Sequence, residues 1–302
     1  MQLDLQALND QFAIGRHVEF SAGPGDLPVA EIRNGYAAST VALQGAHVAT
    51  YQPHDQAPAL FVSRAAIYRA GKSIRGGIPV CWPWFAQHPT DPAKPMHGFA
   101  RAAMWHVLGT AVIDGATQLR LGLGDDDSTQ AIWPHAFALE LVVTVGGRLD
   151  VELVARNTGD EPFRCGGALH TYFQVGDARQ VAIHGLDGCA YVDKVDAGRQ
   201  KLQHGPVKIA SEVDRIYLDT TADCVIEDPR LGRRIRVAKS GSRTTVVWNP
   251  WAEKARAIAD FQPEEYLEMV CVETANANTA GDEIVVAPGG EHRLRATIGI
   301  EP

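Results

Sequence analysis

"FALELVVTVGGRLDVELVARN", Phe137 to Asn157, is the stretch that decides the fold. Two runs with the two-residue period of β-strands flank the pair Gly146-Gly147. Paired glycines accept positive φ, so the stretch predicts a β-hairpin. The same period recurs outward from it. "QLRLGLGD" puts Leu119, Leu121 and Leu123 on one face. "RRIRVAKSGSRTTVVWNPW" reads as another hairpin, turning near Ser240-Gly241, and "EIVVAPGGEHRLRATIGI" as two strands around Gly289-Gly290. Shorter strands fit "VEFSAG", "VALQGAHVATYQP" and "QVAIHGL". Helical periodicity is confined to "LDLQALNDQF" and "AEKARAIADF". Strands at such spacing, with turn signals between them, predict an all-β fold, a large two-sheet sandwich with a few short helices. A parallel βαβ fold is disfavoured, because regular helices between strands are lacking.

The chain has 302 residues, 45% hydrophobic and 21% charged, enough for a sizeable core. Its 29 glycines and 17 prolines are dispersed rather than gathered in a linker, so residues 1–302 are expected to form a single domain. A net charge of -8 argues against a nucleic-acid partner, which needs a basic face, but leaves room for a local anion pocket. Five cysteines, an odd number without a C-x-x-C pair, fit a reducing compartment. No secretory signal opens the sequence and no run is apolar enough to span a membrane, so a cytoplasmic protein without a membrane partner is expected.

Four stretches carry candidate chemistry. "GKSIRGGIPVCWPWF" (71–85) has glycines beside Lys72 and Arg75, but not in the order of a nucleotide-binding P-loop. Arg75 is read either as a grip on phosphate or vicinal hydroxyls or as a solvated loop residue; Lys72 is read as a surface charge. The glycines are taken to let the backbone pass close to a ligand, and Trp82 and Trp84 as either a sugar platform or core. "PMHGFARAAMW" (95–105) places His97 and Arg101 where two arginines can converge on one anion. His88, His97 and His106 lie nine residues apart without matching carboxylates, so no metal site is expected. "CGGALHTYFQVGD" (165–177) puts His170 and Tyr172 on one strand face, opposite Leu169, Thr171 and Phe173. His170 is either an acid–base group or a histidine with one hydrogen bond in a polar sheet face. In "EEYLEMVCVETANA" (264–277), Glu273 ends an apolar strand, where burial raises a carboxyl group's affinity for protons, while Glu264, Glu265 and Glu268 are read as solvated.

Taken in order, "SIRGGIPVCWPWF", "HGFAR", "HTYF", "VDRIY", "WNPW" and "MVCVE" resemble the aldose 1-epimerase superfamily, and within it the hexose-6-phosphate mutarotase branch. The resemblance spans about two-thirds of the chain, Ser73 to Glu273. It implies a galactose mutarotase-like β-supersandwich that interconverts the α and β anomers of a hexose 6-phosphate, with glucose 6-phosphate foremost. It implies His170 and Glu273 as the catalytic pair, Glu273 as base and His170 as acid. It further implies Arg75 and Arg101 at the sugar phosphate, Asp214 on sugar hydroxyls and His97 near the ring. No cofactor is required, and a monomer or weak dimer is expected. Met96, before "HGFAR", and the two tryptophans depart from the family pattern and bear on which sugar fits. The alternatives are a non-catalytic carbohydrate-binding sandwich and a mutarotase for an unphosphorylated or different aldose.

Overall fold

A computed structural model describes residues 4–277 and 281–301. Two antiparallel sheets, of nine and eight strands, dominate it, with a four-stranded sheet near the N-terminus and a two-stranded ribbon beside them. Strands Phe137–Val145 and Leu149–Asn157 pair in full register, as the hairpin reading predicts, and lie inside the nine-stranded sheet. The turn itself differs: neither Gly146 nor Gly147 has positive φ, and the Gly146 amide donates to the Arg148 carbonyl. Leu119, Leu121, Leu139, Leu141, Leu153 and Ile298 from the nine-stranded sheet share one apolar cluster with Leu169, Phe173, Val247, Val270 and Val272 from the eight-stranded sheet. The two sheets therefore stack face to face, and their shared side is the core.

The stretch read as a hairpin at Ser240-Gly241 is not one. Arg233–Ser240 lies in the nine-stranded sheet and Thr244–Asn249 in the eight-stranded sheet. Turn residues look the same to a sequence whether the next strand pairs beside the last or crosses to the facing layer. Here Arg233–Ser240 satisfies its ladder with Cys224–Asp228 and Glu291–Glu301, and Thr244–Asn249 with Val213–Tyr217 and Met269–Asn276. Among the described residues three short α-helices occur, Leu5–Phe12, Asp127–Ile132 and Trp251–Ala257. The second was not anticipated, although Asp126 and Thr129 make a reciprocal capping box at its start. No helix among the described residues is long and apolar enough to cross a membrane.

Two acidic readings also change. Glu273 does not close its strand; Met269–Asn276 continues three residues past it. Glu265 is fully buried rather than solvated, accepting from the Ser63 hydroxyl and from the amides of Arg64 and Gln262. Those three donors are what make a buried carboxylate tolerable.

Candidate active site

Strand Met269–Asn276 runs through the eight-stranded sheet with a neighbour on each side. Alternate residues of a strand face opposite ways. Val270 and Val272 point into the stacked core, while Met269, Cys271 and Ala275 belong to clusters on the sheet's other side. Glu273 shares that outer side, and so do Asp214 and Ile216 on Val213–Tyr217 and Val246 and Trp248 on Thr244–Asn249. The outer face is the floor of a cavity of about 400 Å³.

His170 reaches this floor from a gap between two short strands. Gly167–Leu169 and Tyr172–Gln174 both pair with Met269–Asn276, and the ladder is interrupted between them. There the chain turns to the Gly-Gly loop instead: the His170 amide donates to Pro79 and the Tyr172 amide to Gly77. Leu169 and Phe173 fall in the core while His170 and Tyr172 stack at 4.9 Å with an interplanar angle of 11°, as the alternation predicts. His170 Nδ1 ends 3.4 Å from Glu273 Oε1.

Both groups are almost sealed from solvent, His170 at 8% and Glu273 at 1% exposure. His170 Nδ1 and Glu273 Oε2 have no hydrogen-bond partner among the described residues. Burial pushes the Glu273 carboxyl well above its usual range; Asp214 adds repulsion and Arg101 opposes. Burial pushes His170 well below the histidine range, helped by the charges of His97, Arg101 and Arg75. Each shift favours the uncharged form of its group.

Arg75 lines the cavity, but it is already committed. Its Nε donates to Asp260 and its Nη1 to the Tyr172 hydroxyl, each at 3.1 Å. The guanidinium is held above its usual value by Tyr172, against burial, and by Asp260. Nη2 alone of its fork is uncommitted among the described residues. Arg101 does not line the cavity; its Nη2 donates to the Met96 carbonyl at 2.7 Å. Both charges nonetheless depress His97 and His170, so the two arginines do converge on one region. His97, at φ +64°, accepts the Ala86 amide on Nδ1 and lowers to about 3, mainly through burial. Its neutral ring therefore carries its proton on Nε2. Burial raises Asp214, opposed by Lys254 and Lys194.

Gly76 and Gly77 do not make room for a ligand. A Cβ on Gly76, at φ +118°, would lie 2.4 Å from the Phe61 carbonyl oxygen, and one on Gly77 would lie 2.3 Å from that of Val48. The pair lets the loop press against neighbouring backbone and so aims Arg75. Trp82 and Trp84 are core, not platform. Trp82 packs among Phe99, Trp133, Phe137 and Phe163, and Trp84 donates to the Pro95 carbonyl. Met96 does sit at the cavity edge, half exposed.

Sequence reasoning did not single out Lys194, Lys254, Asp260 or Trp248. Lys254 lies on the helix after "WNPW", with Nζ 2.6 Å from Glu212 and 3.8 Å from Asp214. An isolated lysine or aspartate carries no spacing signal; Trp248 alone had one, as part of a quoted motif.

A family model for aldose 1-epimerase matches residues 28–299. A protein of Cenchrus ciliaris provisionally named glucose-6-phosphate 1-epimerase is 35% identical over 272 residues, covering 86% of this chain and 80% of that one. A protein of Escherichia coli with the same provisional name is 35% identical, covering 80% of each chain. The crystal structure of a provisionally assigned mutarotase from Salmonella typhimurium superimposes with a TM-score of 0.89 at 30% identity, covering 96% of this chain and 95% of the other. A galactose mutarotase-like protein of Clostridium acetobutylicum, at 14% identity and TM-score 0.75 over 94% of this chain and 98% of the other, shares the fold. On sequence and fold together, the chain belongs to the aldose 1-epimerase family.

Proposed function

We propose that the protein is a mutarotase of hexose 6-phosphates, with glucose 6-phosphate as first candidate, and that His170 and Glu273 exchange the proton. The observation that carries this is the buried contact of 3.4 Å between the two at the floor of a cavity flanked by cations. Anomerisation moves two protons and no net charge. The C1 hydroxyl gives a proton to a base as C1 becomes a carbonyl carbon. The C1–O5 bond breaks with its electron pair on O5, which takes a proton from an acid. Rotation about C1–C2 and the reverse steps close the ring on the other face.

Glu273 as base and His170 as acid requires the shared proton on His170, the reverse of the resting preference. Sugar hydroxyls supply what the empty site lacks. A donor to Glu273 Oε2 stabilises the carboxylate, and the proton then crosses to His170. Asp214 faces the same cavity as an acceptor for hydroxyls, and neutral His97 offers an Nε2 donor near the ring. Arg75, Lys194 and Lys254 line the cavity and the charge of Arg101 acts on His97, His170 and Glu273, which suits a dianionic phosphate. The provisional names of the relatives support the phosphosugar. The engagement of Arg75 by Asp260 favours one second reading, an unphosphorylated aldose. The five free cysteines support a cytoplasmic, reducing location.

His170→Asn and Glu273→Gln should each lower kcat by roughly 10²–10⁴-fold, measured by polarimetry or exchange NMR on glucose 6-phosphate. Near-wild-type rates in either variant would refute the pair. Arg75→Ala and Arg101→Ala should raise KM for the phosphosugar far more than for the free sugar; equal effects favour the second reading.

A further inference from the structure

Cys271 lies two residues before Glu273 on the same strand and so shares its outward face. It stands in register with Tyr172 on one side and Trp248 on the other, fully buried beneath the cavity floor. Sugar anomerisation has no use for this thiol. Yet Cys271 Sγ, a ring nitrogen of His170 and a carboxylate oxygen of Glu273 all lie within 4.8 Å of one another. Two atoms of these side chains, His170 Nδ1 and Glu273 Oε2, are buried polar groups without a hydrogen-bond partner among the described residues. Such groups call for one.

We propose that His170, Cys271 and Glu273 form a binding site for a thiophilic divalent cation, with Zn²⁺ as its representative, and that occupancy closes the sugar site. An imidazole, a thiolate and a carboxylate form a zinc donor set. Bond lengths of about 2.0–2.3 Å at a tetrahedral ion put neighbouring donor atoms about 3.4–3.6 Å apart. The 3.4 Å between His170 Nδ1 and Glu273 Oε1 already matches this. The sulfur arm, at no more than 4.8 Å, closes by about 1 Å through small side-chain rotations. Three protein donors leave a fourth position toward the cavity, where water binds.

The charges balance. Binding releases the Cys271 thiol proton and the Glu273 carboxyl proton, and two anions then meet a dication. Asp214 favours the cation, while Arg75 and Arg101 oppose it. A site that binds the ion through His170 and Glu273 cannot use them for proton transfer. That inhibitory half rests on the mutarotase reading; the binding half does not.

The test is titration of Co²⁺ into the reduced, full-length protein, followed by displacement with Zn²⁺. One equivalent should give the visible bands of tetrahedral Co²⁺ and a near-ultraviolet thiolate-to-cobalt charge-transfer band. Cys271→Ser should lose the charge-transfer band and weaken Zn²⁺ at least about tenfold in chelator competition, the loss that even an outer partner's removal causes. His170→Asn, which keeps the thiol, should weaken Zn²⁺ as well, and serves if the cysteine variant does not fold. Zn²⁺ should inhibit wild-type anomerisation reversibly, with EDTA restoring it, and Cys271→Ser should resist. A wild-type spectrum without a thiolate band overturns the proposal. So does a thiolate band unchanged in Cys271→Ser, or Zn²⁺ affinity unchanged in His170→Asn. Zn²⁺ binding with these signatures in a protein without mutarotase activity would uphold the site and refute the proposed function instead.

Discussion

His47→Gln should make the protein less sensitive to acid. His47 is 1% exposed and packs under the loop that carries Arg75; a Cβ on Gly77 would lie 2.7 Å from its Nε2. Burial lowers the His47 imidazole from 6.5 to about 3, opposed only by a backbone contact at Gly76. The folded state therefore stays unprotonated at pH 5, while the unfolded chain binds a proton from pH 6.5 downward. A folded value below the unfolded one means stability that is present above pH 6.5 and lost as the pH falls toward 3. The slope approaches about 1.4 kcal/mol per pH unit, and the loss accumulated by pH 5 is about 2 kcal/mol. Glutamine places an amide near Nε2 and cannot titrate. Urea unfolding at pH 7.5 and pH 5.0 gives the change for each protein. Wild type should lose about 2 kcal/mol more than the variant over that interval, whatever offset the substitution causes at pH 7.5. His97 and His170 titrate in the same direction in both proteins and cancel in the difference. Equal losses would mean that His47 takes up its proton in the native state, and that the buried imidazole is wrongly taken as neutral.

The acid limb of kcat/KM should fall well below the usual histidine range, because His170 resists protonation; a limb centred near 6.5 with an unphosphorylated sugar, which removes the substrate's own titration, would contradict this. Asp214→Asn removes repulsion on Glu273, so the basic limb should move to lower pH in the same profiles. Gly76→Ala should cost roughly 1–3 kcal/mol in urea unfolding, since φ +118° and the Phe61 carbonyl both exclude a side chain. Trp84→Phe should lower stability yet leave the preference among sugar phosphates unchanged, as Trp84 lies in the core rather than on the cavity.

The fold was readable wherever alternation was clean. Leu119, Leu121 and Leu123 announce a half-buried strand, and all three are buried. What alternation does not carry is the partner. The turn at Ser240-Gly241 looks like a hairpin, yet the chain crosses to the facing layer, because pairing is decided by distant strands that a local pattern cannot see. The site divides in the same way. His170, Glu273, Arg75, Asp214 and His97 sat in motifs and meet at one cavity. Lys194 and Lys254 reach it from separate elements and Asp260 holds Arg75 there, and only the assembled sheet brings them together. The tryptophans stayed open between two readings for a plain reason: an aromatic beside proline suits a platform and a core equally, and their burial distinguishes the two.

Glu273 sits in mid-strand, with Val246 across one ladder and the interrupted ladder at Leu169 and Tyr172 across the other. A carboxylate placed so is gauged by its backbone. To move it even one position along the strand would turn its side chain to the opposite face and break pairing on both sides. The floor that carries the proposed proton transfer is thus as fixed as the sheet beneath it. Adaptation to a different sugar has to be written on the walls, at Met96, Gln87, Lys194 and Lys254, where the chain can change without rewriting the ruler beneath.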